Sequence, residues 1–194
     1  MTPNAAPVQA GPVAGARIIA ITSGKGGVGK TFVSANLAAA LTRRGQRVLV
    51  LDADLGLANL DVVLNLHPKI TLHDVFTGKA QLEDAILPAP GGFSVLLAGS
   101  GLVEYSRMTP EVRDKLLDVI AQVRPRFDQV LLDTGAGISD VVLFTVSLAD
   151  EVLIERMDNW LSENWKRPRK PAAYETVLRH AQKEGWLGRR NGRP

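Results

Sequence analysis

Residues 23–31 read SGKGGVGKT, and two different phosphate-binding loops fit the same letters. The glycines of the stretch match the dinucleotide fingerprint G-x-G-x-x-G. The same stretch, which ends in Lys30 and Thr31, also matches the nucleoside-triphosphate loop G-x-x-x-x-G-K-[ST]. Both loops need a strand before them and a helix after them, and the flanking sequence is typical of both, so other residues must decide.

Acidic residues farther along the chain favour the triphosphate interpretation. Asp52 ends the second apolar run, where a dinucleotide fold has its ribose-binding acid. That alternative leaves several polar residues without a role, namely Lys30, Thr31, Asp54 and Asp133. In a triphosphate site, backbone N–H groups at the helix start bind phosphate, Lys30 faces the β- and γ-phosphates, and the Thr31 hydroxyl binds Mg²⁺. Asp133 follows the run QVLL and is placed as the strand-end acid of the magnesium shell, so we predict ATP and Mg²⁺ as cofactors.

Length and composition indicate one ordinary globular domain. The chain has 194 residues, of which 45% are apolar, and no apolar run approaches the length that a membrane span needs. It contains no cysteine, which excludes thiolate metal sites and iron–sulfur ligation. Residues 1–16 lack the basic segment and apolar block of a secretion signal, so we expect a flexible leader and a cytoplasmic location.

Short apolar runs alternate with helical patterns up to residue 154. Five runs suit strands that are buried on both faces of a parallel sheet: RIIAIT at 17, RVLVLD at 47, FSVLLAG at 93, QVLLD at 129 and EVLI at 151. Between the first two, Val33, Leu37 and Leu41 share one helical face, and Gly45 follows as a helix stop. A second amphipathic helix starts after Thr109, a typical N-cap. The alternation predicts an α/β fold with a doubly wound, mostly parallel sheet.

The character of the sequence changes after residue 154. Residues 155–194 carry ten Lys and Arg against five Asp and Glu, whereas residues 1–154 carry thirteen against fifteen. All three tryptophans lie beyond residue 154, and no further strand pattern follows. We therefore predict a P-loop core at 17–154 and an atypical, poorly packed basic tail at 155–194. Because the basic charge belongs to the tail alone, our default expectation is no nucleic-acid partner.

Three separate motifs resemble those of one family. KGGVGKT at 25–31 resembles the deviant Walker A loop of the MinD/ParA class of ATPases, LDADLGLANLD at 51–61 its first switch, and LLDTGAGIS at 131–139 its second switch. Together with HPKITLHDVFTG and LLAGSG, the two switches look most similar to the flagellar-number regulators of this class, the FleN/FlhG type. The resemblance extends over residues 17–154.

The resemblance implies roles for individual residues. It implies that Lys25 reaches across an ATP-sandwiched homodimer to the partner's phosphates, that Asp54 positions the attacking water, and that Asp52 belongs to the magnesium-linked network. The expected cofactor-binding residues are Gly24, Lys25, Gly26, Gly27, Val28, Gly29, Lys30 and Thr31. The expected catalytic residues are Lys25, Lys30, Asp52, Asp54 and Asp133, and the expected magnesium ligands are Thr31, Asp52 and Asp133.

The resemblance also implies a function, namely a slowly hydrolysing, ATP-dependent dimerisation switch that regulates flagellar number or placement. The implied partners are a second copy of the chain and a flagellar GTPase or transcription regulator, with the inner face of the membrane as a further location. Two alternatives stay open. One is a division-site ATPase of the MinD type, and the other is a truncated nucleotide-binding module that does not hydrolyse ATP.

The sequence departs from this family at both ends. Residues 1–16 lack the short motif that flagellar-type regulators commonly carry for the activation of a partner GTPase. After EVLI the family continues with further strands and with residues that contact the base, where this chain has ERMDNWLSENWKRP. We expect a missing or replaced C-terminal part to weaken the base site and to impair hydrolysis.

Overall fold

The computed structural model describes residues 15–55, 59–99 and 108–154, which contain six strands and six helices. In chain order these are β1 Arg17–Ser23, α1 Lys30–Arg43, β2 Val48–Ala53, α2 Leu60–Leu64, α3 Leu72–Phe76, α4 Leu82–Ala85, β3 Ile86–Pro88, β4 Ser94–Leu96, α5 Pro110–Val123, β5 Gln129–Ala136, α6 Asp140–Ser147 and β6 Glu151–Ile154. Most of the predicted leader, the middle of the first switch and the predicted tail at 155–194 lie outside the described residues.

The strands form a single sheet in the order β3-β4-β2-β5-β1-β6 within the described part of the chain. Each pair of neighbouring strands is parallel except β3 and β4, which are antiparallel. Helices follow β1, β2 and β5 along the chain, as in other doubly wound folds. The doubly wound, mostly parallel α/β fold that the alternating runs predict is therefore confirmed.

Helices α1 and α5 carry the signals that the sequence predicts. The buried aliphatic face of α1 includes Val33, Leu37 and Leu41. Gly45, just beyond α1, has φ of 79°, the left-handed backbone that ends many helices. Pro110 is the first residue of α5, and the hydroxyl of Thr109 caps the helix by accepting a hydrogen bond from the amide of Val112. No helix in the described ranges is both long enough and apolar enough to cross a bilayer.

Helices cover both faces of the sheet, so each face has its own apolar core. One core lies under α5 and α6 and contains Ile18, Leu49 and Val130. The other lies under α1 and contains Ile19, Val50 and Leu131. Residues that follow each other on one strand thus enter opposite cores, which explains why the runs are continuously apolar and do not alternate.

The order of the strands brings three chain segments to one edge of the sheet. Because β5 lies between β1 and β2, the carboxyl ends of these three parallel strands are neighbours. Asp52 of β2 is the in-register partner of Asp133 of β5, and Ile21 of β1 is its partner on the other side. The loop after β1 and the acidic residues of β2 and β5 therefore meet at the edge where open α/β sheets bind their ligands.

The core under α1 yields a prediction about stability. Leu131 is 0% exposed in β5, whereas Leu117 on α5 is 44% exposed. We expect Leu131→Ala to lower the free energy of unfolding by about 2–5 kcal/mol, because it leaves a cavity in a packed core. Leu117→Ala, the matched control, should change it by about 0.5 kcal/mol or less. Urea denaturation followed by circular dichroism measures both, and equal losses would contradict this placement of Leu131.

Candidate functional site

A cavity of about 760 Å³ opens at the carboxyl edge of the sheet. Its walls come from the loop after β1, the first turn of α1, the ends of β2 and β5, and the start of α6. Among the residues that line it are Lys30, Thr31, Asp52, Asp54 and Asp133. The polar residues that favour a triphosphate over a dinucleotide in the sequence thus share one cavity.

The glycines of the loop between β1 and α1 serve two different purposes. Gly27 and Gly29 have φ of 72° and 99°, a left-handed backbone that glycine adopts without strain. At Gly24 and Gly26, an added Cβ would meet no atom within 4 Å, so the missing side chain leaves open space beside the backbone. Glycine at positions 27 and 29 therefore allows the left-handed turns of the loop. Glycine at positions 24 and 26 leaves the backbone uncovered where it borders open space.

Hydrogen bonds connect this loop to the strand before it and to the segment after β5. The hydroxyl of Ser23 donates to the carbonyl oxygen of Lys25 at 2.7 Å. The amide of Gly137 donates to the carbonyl oxygen of Ser23 at 2.9 Å. Gly137 belongs to the motif that resembles a second switch, so the phosphate loop and this motif are in direct contact.

The two lysines of the loop lie in different environments. Lys30 is only 9% exposed and lines the cavity. Its positive charge also opposes the rise that burial causes in the pKa of Asp133. Lys25 is exposed and lies outside the cavity lining. Lys30 is thus placed to face a ligand in its own cavity, whereas Lys25 is accessible to a second molecule.

Two aspartates lie buried side by side at the strand ends. Asp52 is 1% exposed and Asp133 is 3% exposed. Burial first, and then the charge of Asp133, raise the pKa of Asp52 to about 8. Burial also raises the pKa of Asp133, which hydrogen bonds from the Thr31 and Ser34 hydroxyls partly offset. Two ionised carboxylates here repel each other, and a nearby cation would relieve that repulsion.

Asp54 is partly exposed beside this pair and lies between two segments of the chain. Its amide donates a hydrogen bond to Asp52 Oδ1 at 3.2 Å, and the amide of Leu60 donates to Oδ2 of the same carboxylate at 3.4 Å. On its other side, a Cβ added at Gly135 would come within 3.3 Å of the Asp54 carboxylate. Glycine at position 135 therefore lets the end of β5 approach Asp54 closely.

The residues around the cavity fit a magnesium ion that arrives with a polyphosphate. Across the described ranges, no group of three or more His, Cys, Asp or Glu side chains is arranged to hold a metal ion by itself. Mg²⁺ typically takes one or two carboxylates together with phosphate oxygens and water. Thr31, Asp52 and Asp133 supply such a partial set of oxygens beside Lys30 and the N-terminus of α1, where anions bind favourably.

Not every predicted site residue lines the cavity, and one polar contact was missed. Of the predicted cofactor-binding residues, Gly24, Lys25 and Val28 lie in the loop but outside the cavity lining. The sequence interpretation missed Ser34, whose hydroxyl hydrogen-bonds Asp133. The only signal for Ser34 in the sequence is its spacing of three residues from Thr31, which places both on one helical face. The chemical roles of the predicted residues stay predictions.

Comparisons with known proteins place these motifs in a family. A family model described as an AAA domain matches residues 16–162. The antiactivator FleN of Pseudomonas aeruginosa is 46% identical over 146 residues, which are 75% of this chain and 52% of FleN. The chain spans about half the length of the curated relatives that it matches.

Two solved structures are similar in fold as well as in sequence. The cell division ATPase MinD of Pyrococcus furiosus gives a TM-score of 0.63 at 40% identity, with 72% of this chain and 58% of that protein covered. MinD of Pyrococcus horikoshii, complexed with Mg-ADP, gives a TM-score of 0.65 at 34% identity, with 86% of this chain and 66% of that protein covered. Motifs, fold and relatives agree with the resemblance seen in the sequence. The chain belongs to the family described as an AAA domain, and its motifs and relatives place it in the MinD/ParA class of P-loop ATPases.

Proposed function

We propose that the chain binds Mg·ATP through residues 24–31 and uses it as a slowly hydrolysing dimerisation switch that regulates flagellar number or placement. The observation that carries the proposal is the meeting of Lys30, Thr31, Asp52 and Asp133 in one cavity beside the glycine loop. The similarity to FleN supports the flagellar role, and the similarity to MinD supports the same type of switch in division-site selection, which is the alternative.

Each residue of the cavity has a distinct task in this proposal. The loop and the N-terminus of α1 bind the phosphates through backbone N–H groups, and Lys30 neutralises charge on the β- and γ-phosphates. Thr31, Asp52 and Asp133 hold Mg²⁺, which supplies further neutralisation of charge on the phosphates when it is bound. Asp54 positions the attacking water. Phosphoryl transfer requires mainly positioning and charge stabilisation, so no covalent intermediate on the chain is needed.

Self-association is the second element of the proposal. Lys25 is exposed, and so are the apolar side chains of Phe32 and Val63, which line the cavity. A second copy of the chain that faces this surface would bring its own Lys25 towards the bound phosphates. We propose this homodimer as the ATP-bound state. We further propose that a flagellar GTPase or transcription regulator is the partner, and that it binds the dimer and the monomer differently.

Hydrolysis of ATP is the step that distinguishes the proposed switch from a module that only binds ATP. A module that binds ATP without turnover would share the phosphate loop and the buried acids, but it would release no phosphate. Phosphate release by the purified chain, compared with that of an Asp54→Ala variant, therefore discriminates between an ATPase and a binding module. The proposal that residues 155–194 replace part of the family's C-terminal region is tested separately, by the DNA sequence downstream of codon 154 read in all frames.

The first prediction from the proposed function concerns the phosphate loop and uses its two lysines as a matched pair. We expect Lys30→Ala to weaken ATP binding by at least roughly 30-fold, because a buried charge-assisted contact to phosphate is lost. Lys25→Ala should leave ATP binding by the monomer within about threefold of the parent, because an exposed ion contributes little. Isothermal titration with Mg·ATP measures both. Parent-like affinity of Lys30→Ala would refute the loop assignment, and preferential binding of NAD(H) would restore the dinucleotide alternative.

The second prediction concerns the dimer. We expect ATP and Mg²⁺ to raise the mass of the parent chain from monomer to dimer, and Lys25→Ala to lose most of that increase while it still binds ATP. The reason is that Lys25 is exposed and acts on the partner's phosphates in the proposed dimer. Light scattering coupled to size exclusion measures the mass. An unchanged ATP-dependent dimer in Lys25→Ala would refute the cross-subunit role.

The third prediction concerns the pH dependence of stability without ligand. The folded-state pKa of Asp52 is about 8, against an ordinary value of 3.8. Because the folded state binds this proton more tightly, the contribution of Asp52 to stability is complete below about pH 4 and is lost as pH rises towards 8. Asp52→Asn removes this titration and serves as the control.

Urea denaturation in the presence of a chelator, from pH 5 to pH 8, measures the effect. The free energy of unfolding of the parent minus that of Asp52→Asn should fall over this range by on the order of 1–3 kcal/mol. Taking the difference cancels carboxylates that titrate alike in both proteins. A difference that stays constant with pH would contradict the raised pKa of Asp52.

A further inference from the structure

Ser34 is a buried polar residue to which the proposed function gives no task. It lies one turn after Lys30 in α1, and its side chain is 0% exposed. The other buried residues of α1 after Lys30 are apolar: Val33, Ala35, Leu37, Ala38, Ala40 and Leu41. Serine is less favourable than alanine inside a helix, and a buried hydroxyl needs a partner, so this position requires a physical explanation.

The hydroxyl of Ser34 has two acceptors but only one proton. Ser34 Oγ lies 3.0 Å from the carbonyl oxygen of Lys30, which is the common bond of a helical serine to the residue four positions earlier. It also lies 2.9 Å from Asp133 Oδ1, a residue 99 positions away in the sequence. A serine hydroxyl donates one hydrogen bond, and a charged carboxylate is the stronger acceptor. When Asp133 is ionised, the bond to Asp133 is therefore favoured.

Asp133 is thus held by two hydroxyls from one face of α1. Thr31 and Ser34 are three residues apart, and both hydrogen-bond the Asp133 carboxyl. They differ in position, because Thr31 lines the cavity and Ser34 does not. If Thr31 turns its oxygen to a magnesium ion, the contact from Ser34 remains, because it lies outside the cavity lining and away from solvent.

We propose that Ser34 is a positioning residue that fixes the Asp133 carboxylate for the magnesium shell. Its hydroxyl occupies Oδ1 and prevents rotation of the carboxylate, so that the second oxygen keeps one orientation. The inference rests on the proposed binding of Mg·ATP, and it concerns the magnesium-dependent part of that binding. Removal of a residue that hydrogen-bonds a metal ligand from outside the coordination shell typically changes metal affinity roughly 10- to 100-fold. We expect a change within this range when the Ser34 hydroxyl is removed.

Three variants separate positioning from a general effect on the helix. Ser34→Ala removes the hydroxyl and suits a helix that is rich in alanine, and Ser34→Thr keeps a hydroxyl at the same position. Thr145→Val is the matched control, because Thr145 is 1% exposed and its hydroxyl donates to the carbonyl oxygen of Val141 at 2.8 Å. This control removes a buried hydroxyl that bonds to its own helix, but in α6 and not in α1.

The measurement is the affinity for a fluorescent ATP analogue, first in EDTA and then across a titration with Mg²⁺. In EDTA, all variants should bind the analogue within about twofold of the parent, because the loop and Lys30 are intact. The half-saturating Mg²⁺ concentration should rise roughly tenfold in Ser34→Ala and recover to within about threefold in Ser34→Thr. Thr145→Val should match the parent at every concentration.

Each other outcome overturns the inference, and the outcomes identify which claim fails. If Ser34→Ala shows the parent's dependence on Mg²⁺, the positioning role is wrong and the proposed function stands. If Ser34→Ala loses the same factor in EDTA, the serine supports the loop and not the magnesium shell. If the parent itself binds no nucleotide, the proposed function fails together with the inference. Should Ser34→Ala not fold, Ser34→Cys, whose thiol is a weaker donor, takes its place under the same criteria.

Discussion

The pairing of Asp52 with Asp133 at neighbouring strand ends is the constraint on which the rest of the site depends. Because β5 is inserted between β1 and β2, the register of the parallel strands sets two carboxylates side by side, both almost fully buried. Such a pair is unfavourable when both members are ionised, and its charge has to be met by a cation or by hydrogen-bond donors. The first turn of α1 supplies a cation and a hydrogen-bond donor on one side of the aspartate pair, and the other side is open to the cavity.

Helix α1 therefore couples packing to chemistry. Its apolar residues form the core on one face of the sheet, while Lys30, Thr31 and Ser34 from its N-terminal end approach Asp133. A helix that is fixed by a packed core cannot move one of these groups without moving the others. Lys30 and the two hydroxyls are accordingly held as one rigid unit, as the positioning in the proposed site requires.

Local patterns in the sequence are sufficient to predict the long elements and the motifs, because their causes are local. The cap at Thr109, the stop at Gly45 and the apolar faces of α1 and α5 depend on residues within a few positions of each other. The antiparallel β3, the short helices α2 to α4 and the eight-residue α6 were missed. For β3 and α2 to α4 the reason is that segments of three to five residues are too short to show a period.

The non-local features could not be predicted in the same way. That Asp52 and Asp133 lie in register depends on where β5 enters the sheet, and composition near either residue says nothing about it. Ser34 was missed for the same reason, because its partner is 99 residues away. The glycine loop was found because its function depends on contiguous residues, whereas the contact that orients the strand-end acid depends on the packing of a helix against a distant strand.

The site divides into buried residues on rigid elements and accessible residues on loops, and this division bears on how a switch could work. Lys30, Asp52 and Asp133 are buried, whereas Lys25 is exposed and Asp54 is only partly covered. The accessible groups belong to segments that touch one another, since the amide of Gly137 bonds to Ser23 and Gly135 lies against Asp54. A ligand that fixes one of these segments in a new position must therefore displace the others or strain their contacts. In the proposed switch, the buried set would bind phosphate in one geometry throughout, while the accessible, coupled segments would differ between the states that a γ-phosphate distinguishes.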